Sequence, residues 1–387
     1  MAPRMKRCML VWVMVIYTVI AGTAQQTVRA APDKATSSAA VVMEVTTNRV
    51  LFASNADACM PMASTTKIMT ALVALENGNL SDNVTIPHEA VGVEGSSIYL
   101  KDGEKLTLEQ LLYGLMLESG NDASVAIACH IGGSVEGFVD MMNKKSGEIG
   151  AKNTHFANPN GLHDENHYTT AYDLALITSY AMKNPDFQKI CQTKYKEIPG
   201  PDGKTRTLKN KNKILWQYEG GNGVKTGYTK AAGKCLVASA MQEDMQLVCV
   251  VLNSSSMFEQ SMSLMDEAFK DFDYTTVLSQ GEPVGTIPVK RANVEDVTVC
   301  MDEDIRLPLT QDEKDNINVT VSMVPFLKAP VEAGIIVGRL ELSIGGTKVM
   351  DMEIELGEAI PAKSWGDWLH DIIRGWQFSN ALTRSTA

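Results

Sequence analysis

Pro-Met-Ala-Ser-Thr-Thr-Lys-Ile-Met-Thr-Ala-Leu-Val-Ala-Leu-Glu, residues 61–76, is the stretch that decides the fold and the chemistry of this chain. Its apolar residues recur at helical spacing after the opening proline and predict a helix over 64–76. A spacing of three places Ser64 and Lys67 on one face at the start of this helix. A lysine takes the proton of a serine nucleophile when burial or nearby positive charge keeps it neutral. The stretch therefore predicts a nucleophile with its base, although the SxxK pattern alone occurs by chance in most proteins of this size.

The tripeptide Ser119-Gly120-Asn121 lies between two predicted helices, the first of which begins with a capping box at 107–110. A second hydroxyl at this point would relay a proton between the lysine and a leaving group. The amide of Asn121 offers a donor and an acceptor that would orient the lysine or a peptide substrate. The alternative is an ordinary turn at the end of a helix, in which Gly120 supplies the positive φ.

The third motif is Lys225-Thr226-Gly227, at the opening of a predicted strand. Lys225 and Thr226 would hold a substrate carboxylate, and the charge of Lys225 would lower the pKa of Lys67. Gly227 has no side chain, so a peptide can lie directly against the strand backbone. The alternative is an edge strand that carries a protective lysine.

Strand-like segments precede and follow the helices in the sequence, and the first two form a predicted hairpin: 39–45, 50–53, 234–240 and 246–252. This order predicts an α+β fold in which helices cover an antiparallel sheet. Beyond Gly281, short alternating runs separated by turns such as Gly345-Gly346 predict a small all-β domain over 281–358. That domain lacks the residue types that a catalytic site needs, so we interpret it as a spacer or docking module.

Residues 362–380 form a predicted amphipathic helix at the end of the chain. Its apolar stripe consists of Trp365, Trp368, Leu369, Ile372, Ile373 and Trp376. Three tryptophans on the apolar face are typical of a helix that lies in the membrane interface and anchors its protein there. Lys and Arg are scarce on the polar face, which leaves two alternatives open, a helix docked on the protein's own surface and a dimer contact.

The first thirty residues have the pattern of a signal peptide. A basic start at 4–7 precedes an apolar run at 8–20, and small residues provide candidate cleavage sites after Ala24 and Ala30. The apolar run is shorter than the ~20 residues of a membrane-spanning helix, so cleavage is favoured over a retained anchor.

Composition and spacing disfavour several other functions. The net charge of -11 and the absence of a Lys/Arg cluster argue against nucleic acid as a partner. The seven cysteines contain no CxxC pair, and we expect mostly buried free thiols, although Cys235 and Cys249 are spaced to face each other across a hairpin. No metal site and no cofactor are expected, because the only cluster of ligand types lies in a predicted loop: His163, Asp164, Glu165 and His167.

The order SxxK, SxN and KTG, on a helix start, a loop and a strand start, resembles the penicillin-binding and serine β-lactamase superfamily. Five longer stretches are similar to its low-molecular-weight D-alanyl-D-alanine carboxypeptidases: 61–71, 117–123, 156–163, 168–175 and 223–229. The resemblance covers 39–272, and the β domain and tail are similar to the C-terminal parts of the same family. It implies the serine β-lactamase/DD-peptidase fold, with a catalytic domain over 31–274.

The resemblance implies an exported enzyme at the outer face of the cytoplasmic membrane. It would remove the terminal D-alanine from peptidoglycan stem pentapeptides, and β-lactams would inhibit it covalently. Ser64 would attack the penultimate D-alanine, with Lys67 as base and Ser119 in the proton relay. The backbone N–H groups of Ser64 and Tyr228 would form the oxyanion hole. The remaining substrate-binding residues would be Asn121, Lys225, Thr226 and Gly227.

Two related functions compete with this interpretation. A serine β-lactamase needs a glutamate that drives deacylation, and the ExxLN pattern typical of it is missing between the second and third motifs. A covalent β-lactam sensor would be acylated without turnover, but three intact motifs favour an enzyme. Family members commonly hold the substrate carboxylate with an arginine after the last sheet strands. Residues 253–270 contain no arginine, so this contact is open.

Overall fold

The computed structural model describes residues 37–370 and 372–373, so the predicted signal peptide and Trp376 lie outside the described residues. The strands are β1 (Ser37–Glu44), β2 (Val50–Ser54), β3 (Asn83–Thr85), β4 (Lys105–Thr107), β5 (Tyr195–Pro199), β6 (Thr205–Lys209), β7 (Gly221–Thr229), β8 (Gly233–Gln242), β9 (Met245–Ser254), β10 (Asp273–Leu278), β11 (Pro283–Lys290), β12 (Asp296–Cys300), β13 (Ile305–Leu309), β14 (Ile317–Met323), β15 (Leu327–Lys328), β16 (Ile336–Ile344) and β17 (Thr347–Glu355). The α-helices are α1 (Lys67–Asn77), α2 (Leu108–Leu117), α3 (Asn121–Gly132), α4 (Val135–Ile149), α5 (Ala171–Met182), α6 (Pro185–Gln192), α7 (Ile214–Gln217), α8 (Met257–Asp271) and α9 (Gln311–Lys314).

A five-stranded antiparallel sheet in the order β2-β1-β9-β8-β7 forms the centre of the fold. It contains the predicted hairpin as β1 and β2, and the later predicted strands as β8 and β9. The predicted capping box is present, since the Thr107 side chain accepts from the Gln110 N–H at the start of α2. The α+β class with an antiparallel sheet covered by helices is confirmed.

Both faces of this sheet are buried, because successive residues of β8 and β9 face different cores. Val237 and Val250 join a core with helices α1 to α6, whereas Leu236 and Val251 pack against α8. Helix α1 is buried nearly all round rather than along the single predicted stripe, which is typical of a helix in the middle of a core. The start of α1 is therefore fixed in position from all sides.

The cysteine pair proposed across the hairpin does not form. Cys235 belongs to the core on the helical side, whereas Cys249 lies in the core beneath α8 and pairs in register with Ala238. All six cysteines among the described residues are free thiols, and three of them are buried, including Cys191.

Strands β10 to β17 form small sheets around a second core, which confirms the predicted all-β region. The three predicted runs correspond to β14, β16 and β17, and Gly345-Gly346 forms the turn between the last two. Arg49 joins this region to the first hairpin by donating to the Pro308 carbonyl and to the Glu313 carboxylate. The limits 31–274 for the catalytic domain and 281–358 for the all-β domain stay predictions.

The described part of the tail is helical at 365–370 and 372–373. Ser364 and Asp367 cap the start of this helical segment with two hydrogen bonds. The Ser364 N–H donates to Asp367 Oδ2 at 2.9 Å, and the Asp367 N–H donates to Ser364 Oγ at 3.2 Å. Trp365 is 81% exposed and Trp368 is 52% exposed. Among the described residues, no single helix has the length and apolar composition to cross a membrane, although the bent pair α3 and α4 together meets that test.

Candidate active site

The serine of the first motif lies just before α1, in a 3-10 turn at Ala63–Thr66, rather than inside the predicted α-helix. Lys67 is the first residue of α1, and its Nζ lies 3.1 Å from Ser64 Oγ. The predicted pairing of Ser64 with Lys67 is therefore present in the structure.

Lys67 is completely buried, and its amine has three neighbours. Nζ donates to Asn121 Oδ1 at 2.7 Å and to the Asn160 carbonyl at 2.5 Å, in addition to its contact with Ser64. The pKa of Lys67 lies well below its ordinary value, chiefly because burial penalises the charged form and further because Lys225 repels it. A neutral amine has two N–H groups, which the two carbonyl-type oxygens satisfy. Its lone pair then faces the Ser64 hydroxyl.

Ser119 adopts the left-handed conformation at φ 64°, whereas Gly120 has φ -58°. The alternative in which Gly120 supplies the positive φ of an ordinary turn is therefore wrong. A non-glycine residue in this region is strained, and such strain is typical of functional sites. The Ser119 hydroxyl is buried without a hydrogen-bond partner among the described residues. It borders the same cavity as Ser64, so a ligand in that cavity can supply the partner.

Asp122 fixes one wall of the site, which the sequence did not reveal. Its carboxylate accepts from Ser97 Oγ at 2.6 Å and from the N–H groups of Ile98 and Leu100, each at 3.1 Å. The neighbouring Asn121 side chain donates to the Glu94 carbonyl. These contacts hold the segment at 94–100 against the start of α3, so that the Asn121 carbonyl oxygen points at the lysine amine.

The sequence predicted Lys225 at the opening of a strand, whereas the structure places it in the middle of β7. It is buried, its Nζ donates to the Thr226 carbonyl at 3.0 Å, and burial followed by repulsion from Lys211 lowers its pKa to about 7. Gly227 also has a packing role that the sequence did not predict. A Cβ at this position would lie 3.0 Å from the Ser64 nitrogen, so glycine allows β7 to pack directly against the 3-10 turn.

A cavity of about 480 Å³ lies above these groups. Four residues of the three motifs line it: Ser64, Ser119, Thr226 and Gly227. Neighbouring positions add Tyr228, Lys211 and Lys234 to the lining. Lys67, Asn121 and Lys225 lie buried beside it. The structure therefore brings together every residue that the three motifs predicted.

The loop at 155–170 supplies further groups that the sequence analysis did not assign. His167 Nδ1 accepts from the Ala157 N–H at 3.0 Å, so Nε2 carries the hydrogen and donates to Thr66 Oγ1 at 2.7 Å. Burial lowers the pKa of His167 to about 4, which keeps the ring neutral. This histidine ties the loop to the 3-10 turn. Among the described residues, no group of three or more His, Cys, Asp or Glu side chains is placed to hold a metal ion.

Two family models match the chain in succession. Residues 25–256 match the D-alanyl-D-alanine carboxypeptidase family, peptidase S11, and residues 272–362 match the C-terminal domain of penicillin-binding protein 5. Together they cover the central sheet, helices α1 to α7 and the all-β region, and helix α8 (Met257–Asp271) lies between the two matches.

Individual proteins agree with these models. The D-alanyl-D-alanine carboxypeptidase DacF of Bacillus subtilis is 34% identical over 346 residues, which are 85% of this chain and 89% of the relative. The DacC carboxypeptidase of Escherichia coli is 30% identical over 86% of each chain. Penicillin-binding protein 5 of Haemophilus influenzae superposes with a TM-score of 0.72 at 28% identity, over 86% of this chain and 100% of that one.

Gly161 offers a test of how the loop supports the lysine. Its φ is +86°, and a Cβ there would lie 2.0 Å from the Ala63 carbonyl oxygen. We expect Gly161→Ala to destabilise the protein by about 1–2 kcal/mol through the left-handed backbone and by about 1–3 kcal/mol more through overpacking. It should also slow acylation by penicillin, because Asn160 moves away from Lys67. Urea unfolding and adduct formation measure the two effects.

The matched control is Gly203→Ala, since Gly203 has φ +73° with no atom near the added Cβ. This variant should lose only the backbone contribution and retain the wild-type acylation rate. Equal behaviour of the two variants would contradict the assigned role of the loop.

Proposed function

Because the chain belongs to the D-alanyl-D-alanine carboxypeptidase family, we propose that Ser64 is its nucleophile and that Lys67 is the general base. The chain is a penicillin-binding serine carboxypeptidase rather than a β-lactam sensor without turnover. The observation that carries the residue assignment is the buried Lys67 amine. Its Nζ lies within hydrogen-bond distance of Asn121 Oδ1 and the Asn160 carbonyl, and 3.1 Å from Ser64 Oγ.

In the proposed acylation step, Lys67 takes the hydroxyl proton while Ser64 Oγ bonds to the carbonyl carbon of the penultimate D-alanine. The N–H groups of Ser64 and Tyr228 stabilise the oxyanion. The bond from this carbon to the leaving D-alanine nitrogen then breaks, and the proton passes from Lys67 through Ser119 to that nitrogen. Water hydrolyses the resulting ester and regenerates Ser64. The unpartnered Ser119 hydroxyl supports this relay.

Lys225 and Thr226 bind the terminal carboxylate of the substrate in this proposal. The Thr226 side chain borders the cavity, and Lys225 lies beneath it with its amine on the Thr226 carbonyl. A substrate carboxylate would raise the pKa of Lys225 again, because an opposite charge favours the ammonium form.

We also place the enzyme at the outer face of the cytoplasmic membrane, with stem peptides as substrates and the tail as a peripheral anchor. The signal-like N-terminus supports export. The exposed Trp365, Trp368 and Ile372 support an interfacial helix, because burying each large apolar side chain is worth roughly 1.5–3 kcal/mol.

The nucleophile is tested by intact mass after incubation with penicillin. Wild-type protein should gain one adduct, located on the peptide that contains Ser64, and Ser64→Ala should gain none. The control Ser263→Ala changes an exposed serine on α8 and should label fully. An adduct on Ser119, or labelling of Ser64→Ala, would show that another residue is the nucleophile.

The two lysines predict a bell-shaped dependence of kcat/KM on pH. Activity should fall at low pH, because Lys67 acts only when neutral, and should fall as pH rises above about 7, because Lys225 must stay charged. Arginine stays protonated throughout this range, so Lys67→Arg should abolish acylation, whereas Lys225→Arg should keep the acid limb and lose the alkaline limb. Thermal unfolding checks that both variants are folded. An unchanged alkaline limb in Lys225→Arg would refute the assignment.

The tail is tested by sedimentation with vesicles of phosphatidylethanolamine and phosphatidylglycerol. Truncation after Lys363 spares the buried Ile360, which bridges to Val331, and should leave peptide cleavage intact while the protein moves to the supernatant. Trp368→Asp combined with Ile372→Asp should have the same effect without shortening the chain. If the full-length mature protein stays in the supernatant, the tail is not an anchor. A mass that depends on concentration and on the tail would then indicate a dimer contact.

A further inference from the structure

The substrate carboxylate needs a positive charge that is available at the surface of the cleft. Lys225 is buried, burial lowers its pKa to about 7, and its amine already donates to a backbone carbonyl. No arginine follows the last sheet strand over residues 253–270. Two other lysines line the cavity, Lys211 and Lys234.

Lys211 is already engaged by the protein. Its Nζ donates to the Glu118 carbonyl at 2.8 Å and forms an ion pair with Glu118 Oε2 at 3.0 Å. Lys234 differs, because no carboxylate of the described residues forms an ion pair with it. Its Nζ donates a long hydrogen bond to the Ser255 carbonyl at 3.4 Å. Of the two lysines that line the cavity, Lys234 is therefore the one whose charge is not neutralised by a carboxylate of the described residues.

The strand register directs the Lys234 side chain toward the carboxylate site. Lys234 lies opposite Tyr228 on the neighbouring strand, and Thr226 lies opposite Leu236. Opposed residues share a face of the sheet, and so do residues two apart, which places Lys234 diagonally from Thr226 on the same face. Such diagonal neighbours lie about 7–8 Å apart, within reach of a lysine side chain.

The position of the amine fits this role. Ser255, on which Nζ rests, is the first residue after β9 and marks the segment that lacks an arginine. Lys234, near the start of β8, thus places a positive charge beside the end of β9. The first residues of α8, Met257 and Phe258, line the cavity as well, and their apolar side chains strengthen a charge–charge contact by excluding water.

We propose that Lys234 is a specificity-determining residue that binds the terminal carboxylate of the substrate together with the Thr226 hydroxyl. This inference rests on the proposed function, since it assigns a second cation to the carboxylate site of the same reaction. Lys234 acts on binding and takes no part in proton transfer.

Benzylpenicillin and its methyl ester test the proposal, because they differ only in the carboxylate that the residue would recognise. The acylation rate constant per concentration is measured by intact mass for wild type, Lys234→Gln, Lys234→Arg and Lys230→Gln. Lys230 is an exposed lysine in the turn between β7 and β8 outside the cavity lining, so it controls for a general loss of positive charge. The KM of a peptide that ends in D-Ala-D-Ala provides an independent readout.

Lys234→Gln should slow acylation by benzylpenicillin roughly ten-fold and acylation by the ester less than two-fold, as expected for loss of one charge-assisted hydrogen bond. It should raise the peptide KM more than it lowers kcat. Lys234→Arg should retain most of the preference for the carboxylate, and Lys230→Gln should behave as wild type.

Equal slowing of both compounds would indicate a structural role and overturn the proposal, and an unchanged preference in Lys234→Gln would do the same. A preference that disappears in Lys211→Gln but persists in Lys234→Gln would assign the cation to Lys211 instead. If instead the proposed function were wrong, the wild-type protein would gain no penicillin adduct on Ser64 at all.

Discussion

The burial of one amine is the constraint on which the site depends. Lys67 is completely buried, and the partners of its amine come from three separate segments: the 3-10 turn, the start of α3 and the loop at 155–170. Each segment is held in turn by its own contacts, such as Asp122 for α3 and His167 for the loop. The two cores on either side of the sheet supply the rigidity that keeps these contacts aligned.

The sequence predicted the parts of the molecule that periodicity and local chemistry encode. Short runs of mostly apolar residues gave β8 and β9, and a capping box gave the start of α2. The three motifs gave the residues that the structure brings together around the cavity, because those residue types are chemically distinctive. The family resemblance then predicted the fold class and the enzymatic function.

The remaining features depend on tertiary packing and carry no local pattern. The Asn160 carbonyl meets a lysine 93 positions away, and any residue type offers the same backbone oxygen. Positive φ at Ser119 rather than at Gly120 follows from the way that α2 and α3 meet. His167 was grouped with potential metal ligands, but its burial turns it into a neutral hydrogen-bonding bridge. The close approach of Gly227 to the 3-10 turn joins segments that are far apart in the sequence, so no local pattern encodes it.

The contact between Gly227 and the 3-10 turn also limits how this protein can evolve. A Cβ added at Gly227 would lie 3.0 Å from the backbone nitrogen of Ser64, so β7 or the 3-10 turn would have to shift to accept it. A substitution at this position would therefore displace the backbone that carries Ser64. At the neighbouring Tyr228, which borders the cavity with an exposed side chain, evolution can exchange one side chain for another without that displacement.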